Sequence, residues 1–159
     1  MKLIKFVLPA ILLFISCGQK GETPKPAEVT SNTIEIKDGW VRPGKAGRMT
    51  AAFFKIENGT TVNDSLLSIE SDVTDDTQIH ESYEMEGGMM GMRPAGLIPV
   101  GAGEVVELKP GGLHIMIIQP FEDVPEGDSV HFTLTFSEFG DKEITLPVKP
   151  MQGGGMMNH

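Results

Sequence analysis

Histidine and methionine recur in the middle of this 159-residue chain in a pattern that suits a soft metal ion. The stretch "HESYEMEGGMMGMRPAG", residues 80–96, opens on His80 and holds Met85, Met89, Met90 and Met92. Glycines and acids break it up, and neither a helical nor a strand period runs through it, so it reads as a loop. Further on, "GGLHIMII" puts Leu113, Ile115 and Ile117 on one face of a strand. His114 and Met116 fall on the other face, about 7 Å apart along the chain. Two residues so placed can reach one ion; the same pair also reads as a hydrogen-bonded histidine beside a partly buried apolar side chain.

His80 and the thioether-rich stretch give the metal reading its weight. Imidazole and thioether are neutral, soft-to-borderline donors, and together they suit Cu(I). Zinc would favour thiolate, imidazole or carboxylate, and calcium or magnesium would want clustered oxygens. A blue-copper electron carrier needs a cysteine thiolate, and the one cysteine, Cys17, precedes the part that reads as folded. A neutral donor set favours the +1 state, which suits storage or transfer of the ion better than redox cycling.

The elements that must position these donors are short strands. Ile34 and Ile36 alternate with polar residues at the start, and strands are expected over 51–57, 65–70, 77–83, 104–109, 113–119, 129–136 and 142–148. Turn-forming stretches such as "ENGTTVND", "KPGG", "VPEGD" and "EFGD" separate them. No window shows an amphipathic helix period, so the expected class is all-β, an antiparallel sandwich or barrel. In "SVHFTLTF" the apolar set Val130, Phe132, Leu134 and Phe136 faces inward, which turns His131 to solvent. Trp40 reads as a core aromatic, with a lid over the donors as the alternative.

The chain opens "MKLIKFVLPAILLFISCGQKGE". Lys2 and Lys5 precede an apolar run too short to span a bilayer, and Cys17 follows it directly. Residues 1–16 therefore read as a signal peptide of lipoprotein type, with Cys17 as the lipidated residue and 17–32 as a flexible linker. One folded domain is expected over 33–149, then a Met/His tail over 150–159 that contains Met151, Met156, Met157 and His159. Without Lys2 and Lys5, eleven basic side chains stand against twenty-two acidic ones. Such a surface disfavours nucleic acid and offers anionic lipid no basic patch. Attachment would rest on the lipid, and with a single cysteine no internal disulfide can staple the domain.

The spacing carries a family resemblance. Met92 lies twelve positions after His80, His114 twenty-two after Met92, and Met116 two after His114. This resembles the pattern of the PCuAC family of periplasmic copper chaperones, and the segments "DGWVRP", "AAFFKIEN", "MRPAGLIPVGAGEVVELKPGGLHIMI" and "GDSVHFTLTF" are similar to its landmarks, in its order. Glu81 departs from the pattern at a position where Met is common but optional. The resemblance spans residues 33–149 and implies a cupredoxin-like antiparallel Greek-key β-sandwich. It also implies one Cu(I) held by His80, Met92, His114 and Met116. The family passes the metal to respiratory copper centres, notably the cytochrome c oxidase copper subunit, often beside a Sco-type thiol protein. The chain is accordingly expected at the periplasmic side of the cell envelope, lipid-anchored to a bacterial membrane, as a monomer.

The remaining donors have secondary roles on this reading. Met90 is an alternate ligand to Met92, while Met85 and Met89 cover the rim. Met151, Met156, Met157 and His159 form a weak second site. Two other functions compete: copper sequestration for tolerance, and a metal-free binding module that docks partners through its Met-rich loop. An enzyme is disfavoured, since neither a catalytic thiol, a serine-triad motif nor an oxygen-rich open metal site is legible.

Overall fold

A computed structural model describes residues 32–150. The leader with Cys17 and the tail donors Met151, Met156, Met157 and His159 lie outside the described residues. Ten strands and no helix make up the described part. They are β1 (Ile34–Val41), β2 (Thr50–Asn58), β3 (Asp64–Ser71), β4 (Asp76–Glu84), β5 (Met90–Pro94), β6 (Ile98–Val100), β7 (Val105–Leu108), β8 (Leu113–Ile118), β9 (Ser129–Phe136) and β10 (Gly140–Pro147). One sheet runs β1-β2-β8-β4-β5, with β7 also paired to β2; the other runs β10-β9-β3-β6. Every ladder is antiparallel. The chain crosses between the sheets after β2, β3, β5, β6 and β8, and the result is a cupredoxin-like Greek-key sandwich.

Alternating apolar residues build the core between the sheets. Phe54, Ile56, Ile115 and Ile117 from the first sheet meet Leu66, Phe132 and Leu134 from the second, all essentially inaccessible. The expected alternation of β8 and β9 is present: Ile115 and Ile117 are core, and His131 is exposed.

Three differences from the sequence reading bear on the site. Residues 85–94 are not a continuous loop but a turn followed by β5, which pairs with β4 from Glu84↔Met90 to His80↔Pro94. β5 is an edge strand exposed on both faces, so it shows no hydrophobic alternation; its backbone ladder alone makes it a strand. Short β6 was missed for want of length. Trp40, in turn, is not a core aromatic. The register of β1 against β2 slips between Lys37 and Trp40, where Asp38 takes a positive φ of 54°. This bulge inserts one residue, and it moves Trp40 from the core face to the outer face, opposite Phe53.

Candidate metal centre

β8 and β4 carry the site. Cross-strand register places His80 opposite His114 and Gln78 opposite Met116. Partners so paired share a face, and this one is the outer face of the first sheet, since neighbouring Ile79 and Ile115 point into the core. β2 adds Ala51, opposite Met116, and then Phe53. β5 adds Met92, opposite Ser82. His114 and Met116 are only 3% and 5% exposed although they face away from the core.

The residues that enclose them explain this. A cleft of ≈ 430 Å³ is lined by Arg42 and Met49 from the β1–β2 loop, Ala51 and Phe53, Ser82, Met92, Pro110, Gly111, His114 and Met116. The "KPGG" turn that supplies Pro110 and Gly111 is closed by hydrogen bonds from Gly112 N–H to the Lys109 carbonyl (3.0 Å) and from Lys109 N–H to the Leu113 carbonyl (2.7 Å). Gly111 there adopts φ +80°, a conformation that disfavours any side chain. An aromatic file runs along the same face: Trp40 lies 4.6 Å from Phe53 between ring centroids, and Phe53 lies 6.3 Å from His114.

Hydrogen bonds settle which imidazole nitrogens are bare. His114 Nδ1 is 3.0 Å from the Gly112 carbonyl oxygen, which can only accept, so Nδ1 carries the proton. Its Nε2 is buried without a hydrogen-bond partner. On β4 the Gln78 amide nitrogen donates to Asp76 Oδ1 at 2.9 Å, which directs Gln78 Oε1 toward His80 Nε2 at 3.0 Å. His80 Nε2–H is therefore the donor, and His80 Nδ1 is the second buried nitrogen without a partner. The two rings stand 6.0 Å apart, edge to face. Burial, and then the neighbouring His114, hold the His80 pKa below its ordinary value of 6.5, against a smaller opposing pull from Asp76. Buried polar atoms are nearly always paired, so two orphaned lone pairs on adjacent histidines mark a place prepared for an electrophile.

The donors fall into two tiers. His114 and Met116 form a buried floor beside His80, which sits next to His114 rather than on the cleft wall. Met92 stands at the mouth with 59% of its surface exposed. Met90, the proposed alternate, shares the Met92 face of β5 but lies opposite Glu84, two register pairs farther from His80, and is not on the cleft wall. Met85 and Met89 do not cover the rim: they close the turn, with Met85 N–H donating to the Met89 carbonyl at 2.7 Å. Met49 was missed altogether. It directly precedes β2, two residues before Ala51, and the pairing of Ala51 with Met116 brings it to the cleft. Among the described residues, no group of three or more His, Cys, Asp or Glu side chains could hold a metal. On this face the cleft presents the side chains of His114, Met116, Met92 and Met49.

The chain matches the family model described as "Putative lipoprotein LpqE-like" over residues 34–148. It is 24% identical to a protein of Leifsonia xyli subsp. xyli named "Putative lipoprotein Lxx21020", over 96% of this chain and 93% of that one. Among solved structures, the copper-bound PCuAC domain from PmoF2 superposes with a TM-score of 0.61 at 20% identity, covering 75% of this chain and 94% of that domain. The Cu(I) form of DR1885 from Deinococcus radiodurans gives 0.60 at 18% identity, covering 80% and 87%. The shared fold is that of PCuAC domains.

Proposed function

Since the chain belongs to the LpqE-like family across its whole sandwich and folds as PCuAC domains do, we propose that it is a Cu(I) metallochaperone with His80, Met92, His114 and Met116 as ligands. The observation that carries this reading is the pair of buried, unpartnered imidazole nitrogens beside a cleft that Met116 and Met92 line. Copper is the cargo. Its mechanism is ligand exchange: an incoming thiolate displaces the exposed thioether first, because Met92 stands at the mouth, and the buried floor releases the ion last. The acceptor is a respiratory copper centre such as the cytochrome c oxidase copper subunit, with a Sco-type thiol protein as intermediary. The description of the family and the name of the Leifsonia relative favour attachment through lipidated Cys17, with the domain held at the periplasmic side of the envelope by residues 18–32.

Anaerobic transfer tests this. The Cu(I)-loaded protein mixed with an apo oxidase copper subunit, alone and with a Sco-type protein, is expected to lose its metal to the subunit, followed by the subunit's copper-centre absorbance. Retention of the ion under both conditions would leave sequestration as the function.

Residues 151–159 are proposed as an auxiliary copper-capture segment. They continue from Pro150, which lines a cleft of ≈ 330 Å³ with Asp38, Gly39, Trp40 and Lys149. Trp40 begins the aromatic file that ends at His114. An extended chain covers about 3.3–3.6 Å per residue, so the six residues from Pro150 to Met156 span at most about 20 Å. Deleting 151–159 is expected to remove a weaker increment of copper uptake and leave the tight equivalent; unchanged total stoichiometry would remove the tail from the scheme.

A further inference from the structure

Met49 is placed where a metal-exchange site needs a spare donor. It lines the same cleft as Met92, His114 and Met116, and 63% of its surface is exposed. An unbranched apolar side chain gains nothing from such exposure, whereas a thioether waiting at a metal-site mouth requires it. Met92 reaches the cleft from edge strand β5 and Met49 from the β1–β2 loop. The mouth thus carries two exposed thioethers above one buried thioether and one buried imidazole.

The backbone under Met49 is fastened on several sides. Thr50 Oγ1, in the next residue, donates to the Arg42 carbonyl at 2.7 Å and closes the base of the loop. Gly44 and Val124 exchange hydrogen bonds of 2.9 and 3.0 Å, and Gly47 N–H donates to the Pro120 carbonyl at 2.9 Å. Ala46 N–H donates to Asp123 Oδ1 at 3.0 Å, and Lys45 Nζ meets Asp123 Oδ2 at 2.6 Å. The loop is therefore a fixed platform, and what moves is the side chain, with its three rotatable bonds.

On the Cu(I) reading above, we infer that Met49 is a fifth donor, a thioether that takes the ion's open position when Met92 leaves it. One Cu–S bond forms to Met49 as the one to Met92 breaks. Copper stays at +1, and no proton or electron moves. The exchange keeps the ion bound while a partner's thiolate enters, and it makes either thioether dispensable for holding the metal.

Volume-conserving leucine substitutions test this, because both side chains are exposed and leucine removes only the sulfur lone pairs. Cu(I) is titrated anaerobically against the chelator bathocuproine disulfonate, and its release to excess chelator is followed in time. Met92→Leu is expected to keep one equivalent with an affinity loss under about tenfold. Met49→Leu is expected to keep the affinity but to slow release about fivefold or more. The double variant is expected to lose about tenfold more than the product of the single losses, the signature of coupled groups. Losses that simply multiply, with unchanged release from Met49→Leu, would overturn the fifth-donor role and leave the four-ligand site standing. Failure of the unsubstituted protein to take up Cu(I) would overturn both.

Discussion

Replacing His114 by Gln and Met116 by Leu together is expected to abolish tight Cu(I) binding while the sandwich stays folded. These side chains form the buried floor of the cleft, so no exposed donor can occupy their positions. Gln and Leu hold roughly the original volumes, and neither residue belongs to the inter-sheet core, so stability should change by less than about 1.5 kcal/mol. The expected affinity loss is at least about 10³-fold, since even a partner that only orients a metal ligand is worth about 10–100-fold. Gln78→Leu provides that smaller step. It removes the acceptor that keeps the His80 proton on Nε2 and so leaves Nδ1 bare, and it should fall within the 10–100-fold range with one equivalent still bound. Competition titration and sulfur counting by X-ray absorption read both variants. Binding that survives the double substitution would show that copper sits elsewhere.

How much of this site could be read along the chain depends on how many elements each residue's placement requires. The inward face of β8 was legible because Ile115 and Ile117 alternate with His114 and Met116, and strand period alone assigns the faces. The pairing of His80 with His114 was not, because it depends on β4 and β8 being neighbours in one register, a property of two segments thirty-four positions apart. Trp40 was misplaced for a backbone reason: a one-residue bulge inverts the face of everything after it, and only the Asp38-Gly39 pair hints at it. β5 escaped because an edge strand exposed on both sides has no burial to imprint alternation on its sequence. Met49 escaped because it stands one residue before β2, outside the strand expected from 51, although it shares the period of Ala51 and Phe53 on the face that holds Met116. Residue chemistry is legible in single positions, whereas geometry is written in pairs of segments.

Asp64→Ala is expected to be among the most destabilising substitutions outside the apolar core, at about 3 kcal/mol. Asp64 opens β3 and is only 7% exposed. Its carboxylate accepts from Ser65 N–H at 2.6 Å, Ser137 Oγ–H at 2.7 Å, Glu138 N–H at 3.0 Å and Phe139 N–H at 2.9 Å. Three of these donors belong to the β9–β10 turn, so one side chain fastens that turn to β3. A hydrogen bond to a charged group contributes about 1.5–3 kcal/mol, and water can replace part of it at these half-buried donors. Burial raises the carboxyl pKa, but the four donors outweigh it and leave the value below the ordinary 3.8. The sign follows: the carboxylate's contribution is complete above 3.8 and is lost as the pH falls below it toward the folded-state value. Asp64→Asn keeps the oxygen that meets three donors but turns an amide N–H toward Phe139 N–H, so it should cost about half as much. It should also flatten the acid limb of stability against pH by up to about 1.4 kcal/mol per unit in that window. Urea unfolding at stepped pH measures both effects. An acid limb identical in Asp64→Asn and the unsubstituted protein would mean that another carboxylate governs acid unfolding.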